Sequence, residues 1–134
     1  MPEIVAFVKH GATKITPKVV DELIHKLPMW KAAFTQINSP PHPHLISQLL
    51  FLADLVEDVA EGAYKDLPYV SLAEAVFALT YCHHGFNIIP DGVPTFGRAD
   101  DSSVVRAVLI QNEKVFEKYA QKNAIQWSGI TSKP

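Results

Sequence analysis

The chain has 134 residues, 48% of them hydrophobic, enough for one compact core of the commonest domain size. Twelve Lys and Arg stand against 14 Asp and Glu for a formal net charge of −2, so the basic footprint of a nucleic-acid binder is missing. The single cysteine, Cys82, excludes an internal disulfide, and no spaced Cys/His pairs suggest structural zinc.

The opening "MPEIVAFVKHG" has no basic region and no small-residue cleavage site, so it does not read as a signal peptide, and a soluble cytoplasmic protein is expected. Its apolar pattern predicts a short helix from Pro2 to His10 that Gly11 ends. Thr16 and Pro17 form an N-cap and first-turn pair for a second helix, in which Val19, Val20, Leu23, Ile24 and Leu27 recur at helical spacing. Pro28 is expected to stop that helix and to start another, with Trp30, Ala33, Phe34 and Ile37 on one face. The stretch "NSPPHPH" then reads as an extended linker.

Leu45 to Tyr64 is the longest apolar block, interrupted by Asp54, Glu57 and Asp58 and therefore short of the ~20 apolar residues of a membrane span. Ile46, Leu49, Leu50, Ala53, Val56 and Ala60 define its stripe, widened by Leu52 and Leu55, which marks it as the expected central helix. After Asp66 and Pro68, Ser71 and Glu74 have the spacing of a capping box for a helix reaching about His84. Its inward residues are Leu72, Ala75, Val76, Leu79 and Cys82. Asp100 or Asp101 is expected to cap the last long helix, whose period runs from Val104 to Tyr119. Trp127 and Ile130 are the two apolar residues that would anchor the polar tail.

The fold class expected is therefore all-α: one compact domain spanning residues 1–134, a bundle of five to six helices with an ordered Pro/Gly/Asp loop before the last long helix. That loop, "NIIPDGVPTFGRADDS", has the most unusual composition in the chain. With the helix before it, it resembles the YkvA-like family, a bacterial domain of unknown function. The matching positions are Ala78, Leu79, Tyr81, Ile89, Pro90, Asp91, Pro94, Gly97, Asp100 and Asp101, within about residues 70–115. Residues 1–69 carry no recognised signature, 70–122 form the YkvA-like segment, and 123–134 are a tail. Asn87 stands where the family usually carries an aspartate. The resemblance implies a small helical domain, with no established activity, and peripheral membrane contact as an open option.

Two chemistries fit the loop. Asp91, Asp100 and Asp101, with His83 and His84 upstream, are the residue types that hold a divalent metal, and converging they would support a metal-dependent hydrolase. Turn and cap chemistry accounts for the same residues without a ligand: Asp91 precedes Gly92, Asp100 and Asp101 suit a helix N-terminus, and His83 and His84 suit a C-terminus. Other candidates read as structural. Asp54, Asp58 and Glu61 share a helix face that solvent or lysines would balance, and His42 and His44 lack further ligands nearby. Cys82, on an apolar stripe, reads as a buried thiol. Phe86 and Phe96 bracket the loop, either pinning it to the bundle or forming a patch for a partner.

The function expected is a non-catalytic interaction module binding another protein, with no cofactor and no nucleic acid. A divalent-metal enzyme and an immunity-type partner of a toxin are the alternatives.

Overall fold

The computed structural model describes residues 2–38, 40–88 and 94–130, with side chains described at 3–38, 40–83 and 101–130. It is built from six α-helices: α1 (Pro2–Ala12), α2 (Pro17–Phe34), α3 (Leu45–Ala60), α4 (Tyr69–Ile88), α5 (Pro94–Gln111) and α6 (Glu113–Lys122). A 3-10 turn, Trp127–Gly129, follows, and no strand occurs among the described residues. The helices pack on one core, as expected for an all-α bundle.

Local chemistry explains several boundaries. Thr16 is extended at φ −104° and ψ 164°, and its hydroxyl accepts from the Val19 amide, so α2 starts where the Thr-Pro pair placed it. Gly62, at φ +82°, takes the left-handed conformation just past α3, and the Ala63 amide turns back to the Asp58 carbonyl at 2.8 Å. The linker "NSPPHPH" contributes no helix among its described residues.

Other boundaries differ from the sequence pattern. Gly11 lies inside α1, where a Cβ would fall 2.2 Å from the Phe77 ring, so this glycine permits close crossing of α1 and α4 and does not cap. Pro28 lies inside α2, which continues to Phe34. The proline removes the amide that would bond the Ile24 carbonyl, yet Leu23, Leu27, Trp30 and Phe34 are all buried, and their packing holds both halves as one helix. Burial of one continuous apolar face outweighs the local break.

Asp100 and Asp101 do not open the last helix, because α5 begins at Pro94 and both are interior to it. The expected last long helix is instead divided at Asn112, whose backbone leaves helical geometry at φ −116° and ψ 22°. Its side-chain amide donates to the Val108 carbonyl one turn back, competing with the backbone ladder.

The core is shared between α3, the helix expected to be central, and α4. Helix α3 packs on α2, α4 and α5 and, through Phe51 and Asp58, on α6, while α4 packs on α1, α2, α3 and α5. Ala73, Ala75 and Ala78 in α4 are buried beside Leu72, Val76, Leu79 and Cys82, and small side chains on several faces let four neighbours approach. On α3 the buried face is rotated from the expected stripe: Leu45, Gln48 and Phe51 join Leu49, Leu52, Leu55 and Val56, while Ile46 and Leu50 are half-buried and Ala60 is exposed. An aromatic cap closes this end, with Phe51 edge-on to Phe116, Tyr119 and Trp127. Through that Trp127 contact the tail is anchored.

Candidate functional site

The loop candidates come first. Asp91 lies outside the described residues; His84 and Asp100 lie in α4 and α5, but their side chains, with those of Phe86, Asn87 and Phe96, are likewise outside them. Two members of the set are described. His83 sits within α4, which continues to Ile88, and its imidazole stacks on Trp30 of α2 with ring centroids 4.0 Å apart and planes at 11°. It is a packing residue between helices and not a C-terminal cap. Asp101 is buried at the α4/α5 contact, where its carbonyl accepts from the Cys82 thiol at 3.9 Å. Among the described residues no group of three His, Cys, Asp or Glu side chains stands close enough to hold a metal ion.

The acidic row on α3 is divided between two structural roles. Lys31 of α2 reaches Asp54 at 2.7 Å and Glu57 at 3.1 Å, joining α2 to α3. Burial works against the Lys31 charge, but the hydrogen bonds and attraction of the two carboxylates prevail and raise its pKa. Asp58 accepts the Tyr119 hydroxyl, and burial, followed by that hydrogen bond, raises the pKa of the phenol. Asp54, Glu57 and Asp58 are therefore paired with a lysine and a tyrosine, while Glu61 is exposed just past the end of α3.

A different constellation emerges where α1 crosses α4. Ser71 and Glu74, expected as a capping box, point inward: the Ser71 hydroxyl donates to Asn112 Oδ1 at 2.7 Å, and Asn112 Nδ2 donates to Glu74 Oε1 at 2.9 Å. All three residues are buried. Helix α4 starts two residues before Ser71, at Tyr69, so Ser71 is not at the N-cap, and the first helical bond runs from the Leu72 amide to the Pro68 carbonyl at 3.1 Å. Asn112 thus ties the break between α5 and α6 to the first turn of α4, and it holds one oxygen of a buried carboxylate. The other oxygen, Oε2, faces Lys9 Nζ of α1 at 3.5 Å.

Glu74 also lines an open pocket of about 330 Å³, with Lys9, Ala12, Thr13, Ile15, Tyr69, Val70 and Ala73. The volume lies at the small end of the range of ligand sites, and mainly apolar walls around a few polar groups are their usual make-up. The Tyr69 hydroxyl donates to the Ile15 carbonyl at 2.8 Å, which ties the α1–α2 turn to the start of α4 and fixes the mouth of the pocket. Further along the same seam, Phe7 of α1 stands edge-on to Phe77 and Tyr81 of α4 at centroid distances of 5.5 and 5.7 Å.

Phe7, Tyr69 and Val70 are all exposed, Val70 by 61%. Little in the local sequence announces this site. Ser71 and Glu74 show capping-box spacing whether they face water or the core, and nothing local links them to Asn112 or Lys9. The available signal was polar residues placed on an apolar helix, at positions a core would otherwise fill with hydrophobic side chains. Comparison with protein-family models, curated proteins and solved structures finds no match to this chain.

Proposed function

We propose that this chain is a non-catalytic interaction module that docks another protein along the seam between α1 and α4. The observation that carries the reading is the placing of exposed apolar side chains along it: among the described residues five large hydrophobics are exposed, of which Tyr69 and Val70 line the pocket and Phe7 lies further along the same seam, against Phe77 and Tyr81. Single exposed apolar residues are ordinary, but several placed together beside a pocket are the usual sign of a contact surface. The seam is also well supported from beneath, since the Gly11–Phe77 crossing and the Ser71–Asn112–Glu74 bonds fix both helices. A fixed surface loses little entropy on association. The partner that suits it carries an apolar strip with a basic residue, because the buried charge in the pocket is the Glu74 carboxylate.

The test uses a photo-crosslinking residue at position 70, with one at Met29, an exposed residue on α2, as the control. A partner captured at position 70 and not at position 29 is purified and titrated against wild type, Val70→Asp and Met29→Asp. The expected result is a loss in affinity of about tenfold or more for Val70→Asp alone, the size of effect typical of a central contact residue. Equal affinity of both variants would overturn the assignment of the seam, and self-association abolished by Val70→Asp would replace the separate partner by a second copy.

A further inference from the structure

We infer that the pocket between α1 and α4 receives an organic cation, the ammonium or guanidinium of a partner's lysine or arginine side chain, which takes the place of Lys9 on Glu74. This deepens the seam-docking reading and rests on it for the identity of the ligand's carrier, though the chemistry of the pocket is tested independently.

The two members of the Lys9–Glu74 pair are held very differently. The Glu74 side chain is 2% exposed, and its Oε1 is fixed by an asparagine that is itself bonded to Ser71 and to the Val108 carbonyl. Lys9 is 56% exposed, and its ammonium stands 3.5 Å from Oε2, beyond the ~2.7–2.9 Å of a well-made charge-assisted hydrogen bond. Lys31 supplies the contrast within the same molecule, at 2.7 Å from Asp54. The carboxylate is therefore the fixed member and the lysine the exchangeable one. A group that covers the pocket removes water from a carboxylate whose only counter-charge is the loosely placed Lys9, so an occupant that brings a positive charge closer to Oε2 is favoured.

The walls select the rest of the ligand. Ala12, Ile15, Val70 and Ala73 offer methyl and methylene surface suited to an alkyl stem, and the Tyr69 ring stands at the mouth, held by its bond to the Ile15 carbonyl. An anion would meet the fixed charge of Glu74. A neutral apolar group would fill the walls and leave Oε2 with only the loosely placed Lys9 ammonium.

The experiment is a ¹H–¹⁵N NMR titration of the full chain with hexylammonium chloride, n-hexanol and sodium hexanoate, at constant ionic strength. Hexylammonium is expected to give saturable shifts at Lys9, Thr13, Val70 and Ala73, and to bind about threefold or more tightly than hexanol, a factor in line with one partly exposed ion pair. Hexanoate should leave these amides unchanged. Glu74→Gln, which keeps an oxygen for Asn112 to donate to, should erase the preference for hexylammonium over hexanol. Lys9→Met removes the resident cation and should tighten hexylammonium, whereas a purely structural Lys9 would leave its affinity unchanged or lower.

Hexanoate binding as well as hexylammonium, a preference surviving in Glu74→Gln, or unchanged or weaker binding by Lys9→Met would each overturn the inference. Lys9 is exposed, so that variant keeps a folded spectrum available even if Glu74→Gln unfolds. Failure of the titration with crosslinking at position 70 intact removes only the cation assignment. A positive titration with no selective crosslink removes the protein partner and keeps the pocket.

Discussion

Asn112→Ala is the most direct perturbation of the network beneath the seam. The asparagine donates to Glu74 Oε1 and the Val108 carbonyl, both at 2.9 Å, and accepts from Ser71 at 2.7 Å. Alanine leaves the Val108 carbonyl satisfied, because the backbone amide of residue 112 also bonds it at 3.1 Å. The loss falls on Glu74 and Ser71. A hydrogen bond to a charged group contributes about 1.5–3 kcal/mol and a neutral one about 1 kcal/mol, so the sum is roughly 2.5–4 kcal/mol. Water entering from the open pocket offsets part of it, leaving an expected destabilisation of about 2–3 kcal/mol.

Urea unfolding monitored by helical circular dichroism measures this, with an unchanged slope required before the midpoint shift is converted to free energy. A double-mutant cycle with Glu74→Met isolates the pair and should return a coupling of about 1.5 kcal/mol or more. A single-mutant cost below about 0.5 kcal/mol, the level of an ordinary surface change, would refute the claim that Asn112 holds the carboxylate in place.

Two further outcomes follow from the helix contacts. The Tyr119 hydroxyl is raised above its ordinary pKa of 10.0, first by burial and then by its bond to Asp58, and Lys31 is raised above its ordinary 10.5 by Asp54 and Glu57 against the opposing effect of burial. Both folded pKa values lie above the unfolded ones, so their stabilisation is fully present below pH 10 and is lost as pH rises toward the folded values; Tyr119→Phe should flatten the alkaline limb of a stability-against-pH curve, and an unchanged limb would count against the assignment. Pro28→Ala restores an amide to the exposed side of α2 and should raise stability by about 1–2 kcal/mol, less than the ~3 kcal/mol intrinsic difference because the native helix has already adapted. A lower melting temperature would mean that the proline shapes the packing of Trp30 and Phe34.

Apolar periodicity and end signals determined the helical class, the Thr16 cap, the non-helical proline linker and most of the core, because those properties are set by residues a few positions apart. Period alone placed Val104 to Tyr119 on one inward face, and it could not register the break at Asn112, whose cause is a side chain working against its own backbone and tied to α4, 38 and 41 residues away. Pro28 shows the converse: the local rule for ending a helix was sound, and burial of Trp30 and Phe34 against the rest of the bundle overrode it. The candidate site was the least legible part. Lys9, Glu74 and Asn112 are ordinary residues wherever each stands in the chain; the crossing of α1 over α4, made close by Gly11 against Phe77, brings Lys9 to Glu74 at the pocket, and the packing of the α5–α6 break on α4 brings Asn112 to Glu74 from behind it. Sequence fixes which residues can form helices and which faces are apolar, while the meeting of one charge with another depends on how those helices cross.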